Sequence, residues 1–230
     1  MNKAVIFDFG GTLDTNGVHW SVKFLETYKS FGLEFTPERY NYAYVKADEE
    51  LKRKAKSINR YMDLLLEQSC LHFKYIFAEE SDEIKLKKLA GESIDKIMPD
   101  VDNCLGESKK IFEALKKNYK LGIVSNFYGN LERICEDIGF TDYVSVMVDS
   151  ETAGIEKPHP GIFSLALQNL RVKPEDTFVV GDSYERDIVP AKILGCKTIW
   201  LKNKSFKESD NTDSADYIVS NLADILRYLT

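Results

Sequence analysis

Residues 4–14 read AVIFDFGGTLD, and the fold turns on how this stretch is read. Ala4 to Phe7 is a short apolar run with the β-branched content of a buried strand, and it stops on a carboxylate, Asp8. Phe9, Gly10, Gly11 and Thr12 follow, a glycine pair and a hydroxyl where the chain must turn. A buried strand that runs out onto an acid and a flexible turn places a site at the carboxyl edge of a sheet.

Five further runs of similar character lie downstream: KLGIVSN, VSVMVDS, DTFVVGDS, CKTIWLK and the weaker DYIVSN. Helical patterns separate them over Gly106–Asn118, Asn130–Ile138, Gly161–Asn169 and Glu185–Leu194. Strand and helix alternating at this spacing predict an α/β fold, a mostly parallel, Rossmann-like sheet with helices on both faces. The section from Gly17 to about Asp100 is long, charged and aromatic, has helical periodicity and contains no convincing strand. The expected organisation is therefore a core of residues 1–16 and 100–230, with a helical insert over 17–99. The turn formers DTNG and PDVDN mark its two boundaries, the second near Pro99. The polar run Ser205–Ser214 is expected to be a surface loop.

The 230 residues carry a formal net charge of −6, 43% hydrophobic and 30% charged side chains, the profile of an ordinary folded domain. The acidic balance argues against nucleic acid or an anionic membrane surface as partner, since a phosphate lattice is bound through clustered Lys and Arg. The densest basic cluster, Lys52–Lys56, lies among acidic residues on a predicted helix and reads as a solvated face. Cys70, Cys104, Cys135 and Cys196 are widely separated, so neither a zinc site nor a disulfide framework is indicated. With an N-terminal apolar run too short for a signal peptide and no run of about 20 apolar residues, the expected location is cytoplasmic.

Four segments at predicted strand ends carry polar chemistry: Asp8–Thr12; Ser125 and Asn126 in IVSN; Lys157 in GIEKPHP; and Asp182 with Asp187 in GDSYERD. Taken singly, each has an ordinary structural explanation, such as a helix cap or a turn. Together, in this order, they resemble the haloacid dehalogenase superfamily of aspartate-nucleophile hydrolases, and the insert resembles the helical cap of the subgroup that carries one after the first motif. The resemblance covers nearly the whole chain and implies an enzyme acting on a small phosphorylated metabolite. It implies Asp8 as nucleophile, with Ser125 and Lys157 completing the catalytic set. It assigns the phosphoryl group to Gly11, Thr12, Ser125, Asn126 and Lys157. Magnesium would be held by Asp8, the Gly10 carbonyl and Asp182, with Asp187 beside them.

The chemistry agrees with these roles. A carboxylate that attacks phosphorus divides one difficult hydrolysis into two easier steps, and the approach of two anions calls for positive charge and oriented donors. A hard divalent cation that prefers oxygen ligands suits a carboxylate cluster, and the Lys157 ammonium offsets the repulsion within it.

One position departs from the pattern. The superfamily's phosphatases have a second Asp two residues after the nucleophile, which protonates the leaving group, and this chain has Gly10. Glycine retains a carbonyl for a metal but moves no proton, and general acid–base catalysis is typically worth about 10²–10⁴-fold. Three readings follow. A phosphatase can act on substrates with good leaving groups, such as a sugar 1-phosphate, or use another acid, for which Asp14 and His19 are candidates. A dehalogenase-type or phosphonate-cleaving hydrolase is the second. Dehalogenases lack the acidic pair kept in GDSYERD, and carbon–phosphorus cleavage needs a cap lysine, for which Lys23, Lys29 and Lys46 are candidates. A non-catalytic phosphate and magnesium binder or regulator is the third. The phosphatase is ranked first. Specificity is expected from the cap, with Trp20, Arg39, Tyr42, Tyr44 and Arg60 as candidates to face the core.

Overall fold

The computed structural model describes residues 2–77, 82–205 and 211–229. In chain order its elements are β1 (Ala4–Phe7), α1 (Trp20–Ser30), α2 (Pro37–Lys54), α3 (Tyr61–Ile76), α4 (Glu83–Leu115), β2 (Lys120–Ser125), α5 (Leu131–Asp137) and β3 (Val146–Asp149). There follow α6 (Ser150–Ala153), α7 (Gly161–Leu170), β4 (Thr177–Gly181), α8 (Val189–Ile193), β5 (Lys197–Leu201), β6 (Tyr217–Val219) and α9 (Leu226–Leu229). All six expected strands are present. Residues 206–210 of the expected surface loop lie outside the described residues.

The strands form one sheet in the order β3-β2-β1-β4-β5-β6, parallel throughout. Strand alternation sends Val5 and Phe7 to one face, where they join Phe112, Ile123 and Phe140, and sends Ala4 and Ile6 to the other, with Val124, Ile162 and Val179. Both faces are covered, which is why β1 reads as an unbroken apolar run rather than an alternating one. The chain order reverses direction between β1 and β4, the switch point at which open α/β sheets form the crevice that takes a ligand. Asp8, Ser125 and Asp182 each sit at or just past the end of one of the three central strands.

Helices α1 to α4 lie between β1 and β2 in sequence, and the insert shows helices and no strand among its described residues. Helices α2 and α3 pack on each other and α3 packs on α4. Their interior is an aromatic cluster of Phe24, Tyr28, Tyr40, His72 and Phe73. His72 is fully buried there; its Nδ1 pairs with the Tyr28 hydroxyl at 2.8 Å, and burial pushes its pKa down to about 3, so the ring is neutral.

The sequence places a break near Pro99, but α4 runs unbroken for 33 residues with Pro99 inside it. The reason is the stripe Ile94, Ile97, Val101, Leu105, Ser108 and Phe112, which continues at helical spacing on both sides of the proline and is buried. A proline in a helix interior costs about 3 kcal/mol, whereas each large apolar side chain buried contributes roughly 1.5–3 kcal/mol, and Pro99 itself lies on the exposed face. Downstream, the helix expected over Glu185–Leu194 is present, its first turn at Tyr184–Ile188 π-helical and continuous with α8.

Candidate active site

Asp8 leaves the sheet still anchored to it, its amide donating to the Val180 carbonyl of β4 at 2.9 Å. The Lys157 ammonium donates to Asp8 Oδ1, and also to Asp187 Oδ1 at 2.7 Å and the Val124 carbonyl at 3.2 Å. Lys157 is itself fixed by Asn126, whose side-chain oxygen accepts from the Lys157 amide at 2.7 Å and whose side-chain nitrogen donates to its carbonyl at 2.9 Å. The Asn126 side chain is therefore engaged with the lysine's backbone. Ser125 is buried at the end of β2, next to it.

Thr12 joins the first and fourth segments. Its hydroxyl lies 2.9 Å from Asp182 Oδ1 and 3.3 Å from Asp8 Oδ2, and it accepts from the Asp182 amide at 3.0 Å. Two glycines permit this approach. Gly11 has φ +99°, and a Cβ there would lie 2.6–2.8 Å from the Asp182 carboxylate; a Cβ on Gly181 would overlap Asp187. The Trp200 indole donates to the Asp182 carbonyl at 2.9 Å, and the Ser183 amide to Asp187 Oδ2 at 3.0 Å.

The carboxylates of Asp8, Asp182 and Asp187 converge, each offering an oxygen within 4.8 Å of the others, and all three are buried. Burial, then the charges of Asp8 and Asp187, hold the Asp182 pKa well above the usual carboxylate range. Burial also lifts Asp187 to about 6, against the pull of Lys157. For Lys157, burial acts downward, but Asp187 and Asp8 outweigh it and raise the pKa. Three carboxylates facing one ammonium leave an excess of negative charge in a closed site. A divalent cation with oxygen ligands matches both the donor set and that excess.

The two candidate acids differ. Asp14 is fully buried, and its oxygens accept from the Gly11 amide at 2.7 Å, the Trp20 indole at 2.8 Å and the Tyr61 hydroxyl. Nothing of it is left for a substrate. His19 caps α1 through Nδ1, which accepts from the Ser21 amide at 3.2 Å. Burial and the Arg186 charge lower its pKa.

Among the cap candidates, Trp20 lies over Gly10. Tyr44 stacks on His72 and is within 6.3 Å of the His19 ring. Arg39 instead donates to the Ile76 carbonyl and covers Tyr42, which is half exposed, and Arg60 faces Asp137. Of the lysines, Lys23 is paired with Asp100 and Lys46 with Glu49 at 2.6 Å. His159 accepts from the Gly161 amide at 3.0 Å, at the start of α7. Trp200 is not legible as a site element from sequence; Asn126 is, as a phosphoryl contact, but its side chain is instead the clamp on Lys157, which the sequence does not show.

A family model for haloacid dehalogenase-like hydrolases matches residues 2–195. The chain belongs to that family. It is 35% identical over 129 residues to the glyceraldehyde 3-phosphate phosphatase of Pyrococcus furiosus, a match covering 54% of this chain and 53% of that relative. It is 30% identical over 141 residues to the pyrimidine 5'-nucleotidase YjjG of Escherichia coli, covering 60% and 62%. The chain thus spans about half to three-fifths of the length of these two relatives. A 2-haloacid dehalogenase from Pseudomonas syringae pv. tomato superimposes with a TM-score of 0.54 at 24% identity, covering 100% of this chain and 98% of that one, a likeness of fold. No helix among the described residues is long and apolar enough to cross a membrane.

Proposed function

We propose that this hydrolase is a magnesium-dependent phosphatase of a small phosphorylated metabolite, working through an aspartyl phosphate on Asp8. The observation that carries the reading is the buried trio Asp8, Asp182 and Asp187 with Lys157 bonded to two of its members. Such a site balances its charge by taking a divalent cation, and Lys157 meets the phosphoryl oxygens as they approach. Relatives named as phosphatases of small phosphorylated molecules support the substrate class.

In this reading residues 1–16 and 100–230 form the core and 17–99 the cap. Asp8, the Gly10 carbonyl and Asp182 hold magnesium, with Asp187 supporting them through Lys157. Bound there, the ion would neutralise charge on the transferring group. The Gly11 and Thr12 segment, Ser125 and the main chain at Asn126 cradle the phosphoryl group. Asp8 attacks phosphorus while Lys157 holds its carboxylate in line. Dehalogenation is disfavoured by the Asp182 and Asp187 pair. A binding protein without turnover is the second reading, favoured by the absence of an acid at Gly10.

The test is phosphate release from a panel of sugar phosphates, nucleotides and an aryl phosphate, with and without magnesium, against Asp8→Asn. Release that needs magnesium and is lost in the variant is the expected result. Equal release by the variant overturns the nucleophile, and silence across the panel with magnesium still bound leaves the binder.

A further inference from the structure

Gly10 is the only residue between Ala4 and Thr15 that is not buried, so the strand-end site opens to the outside at this glycine. The group that meets the opening is the Trp20 indole. A Cβ added at Gly10 would lie 3.7 Å from Trp20 Cδ1 and 3.9 Å from Nε1, ordinary contact distances, so the ring edge forms the wall of the seat a residue-10 side chain would occupy.

That ring is held in place. Its N–H donates to Asp14 Oδ2, the oxygen that also accepts from the Tyr61 hydroxyl, while Asp14 Oδ1 accepts from the Gly11 amide. Phe24 and Tyr61 pack against the indole, with ring centroids 5.2 and 6.5 Å away. Asp14 thus ties α1 and the start of α3 to the loop that follows the nucleophile, and Trp20 is only 9% exposed.

We propose that Trp20 is a specificity-determining residue: its indole, positioned by Asp14, closes the seat over Gly10, so the leaving group departs against a ring edge whose one N–H is committed to Asp14 and receives no proton. This rests on the phosphatase reading above. The bond from Asp8 to phosphorus forms as the phosphorus–oxygen bond breaks, and the electron pair leaves on that oxygen as an anion. Substrates whose leaving group is a stable anion, such as acyl, enol or activated aryl phosphates, are turned over fastest, and simple alkyl phosphates are slowed by about 10²-fold or more. Asp14 acts through Trp20 and is a positioning residue.

The experiment compares kcat/KM for dinitrophenyl and phenyl phosphate, with magnesium. The native protein should favour the dinitrophenyl ester by about 10²-fold or more, the scale of an absent general acid. Trp20→Ala, which admits water to the seat, and Gly10→Asp, whose Cβ fits and whose carboxyl supplies a proton, should each narrow that ratio by about tenfold or more. Trp20→Phe keeps the wall and should keep the ratio. Asp14→Asn retains an acceptor for the indole and should also keep it, whereas Asp14→Leu should narrow it.

A native ratio near one, with both esters hydrolysed, overturns this inference and leaves the phosphatase standing. Failure to hydrolyse either ester while the sugar phosphates or nucleotides are hydrolysed overturns this inference alone, and silence on the esters and the panel alike overturns the phosphatase with it. A large native ratio that neither Trp20→Ala nor Gly10→Asp narrows shows that the indole is not the wall. Gly10→Asp decides the matter if the tryptophan variant does not fold.

Discussion

Asp8 and Asp14 stand six residues apart on one loop, both buried, and the protein treats them in opposite ways. Asp8 is met by a cation and by one hydroxyl at 3.3 Å, which leaves it acceptor capacity toward the crevice. Asp14 is met by three uncharged donors, from a backbone amide, an indole and a phenol, which enclose it. Burial costs both carboxylates solvation. The difference lies in what offsets that cost: an ammonium held among several acceptors, or three uncharged dipoles that enclose the group.

The largest effect should come from breaking the charged side of this comparison. Lys157→Met leaves Asp8, Asp182 and Asp187 buried with no ammonium, and removing one partner of a buried ion pair typically costs about 3–5 kcal/mol. Denaturant unfolding at neutral pH without added metal measures it. A loss of only about 0–1 kcal/mol, the scale of an exposed pair, would show the two carboxylates to be less different than drawn here.

The uncharged side is tested by pH. Burial, set against the hydrogen bonds from Tyr61 and Trp20, raises Asp14 from 3.8 to about 6, so between those values the folded protein holds a proton that the unfolded chain has released. That contribution to stability is present at low pH and is lost as pH rises toward 6, amounting to about 3 kcal/mol. Asp14→Asn lacks the titration, so its Tm minus that of the native protein should rise from pH 4 to pH 7. Asp187 titrates over the same range in both proteins and cancels in the difference. A flat difference would mean the fixed dipoles stabilise the Asp14 charge as fully as water does.

The smallest effect concerns the support beneath the loop. The buried Ser108 hydroxyl on α4 donates to the Leu13 carbonyl at 2.7 Å, and Ser108→Ala should cost about 1–2 kcal/mol in thermal or denaturant unfolding. No change in stability would mean that the loop holding both aspartates does not depend on α4.

The sheet was legible because a strand covered on both faces must be apolar throughout, which makes Ala4–Phe7 and its five counterparts stand out. Asp8 and Asp182 were legible because strand ends are where polar residues have reason to interrupt such runs, whereas Lys157, beyond α6, and Asp187, in the turn after β4, stand out only through the order of the four segments. Asp14 and Trp20 could be listed from the sequence but not assigned. Their partnership depends on Tyr61, 47 residues further on, and on how α1 and α3 return to the loop. The length of α4 is not legible in the sequence, because Pro99 reads locally as a breaker while the stripe from Ile94 to Phe112 is held by tertiary packing.

The Thr12 hydroxyl carries a single hydrogen, with two carboxylates in reach and its lone pair already pinned by the Asp182 amide. It can serve Asp8 or Asp182 at any moment, never both. In the proposed mechanism, phosphorylation would turn the Asp8 carboxylate into an acyl phosphate, a different acceptor for that hydrogen from the free carboxylate. Under that proposal the orientation of the threonine would differ between the free and the phosphorylated protein, which couples Asp8 at the end of β1 to Asp182 at the end of β4.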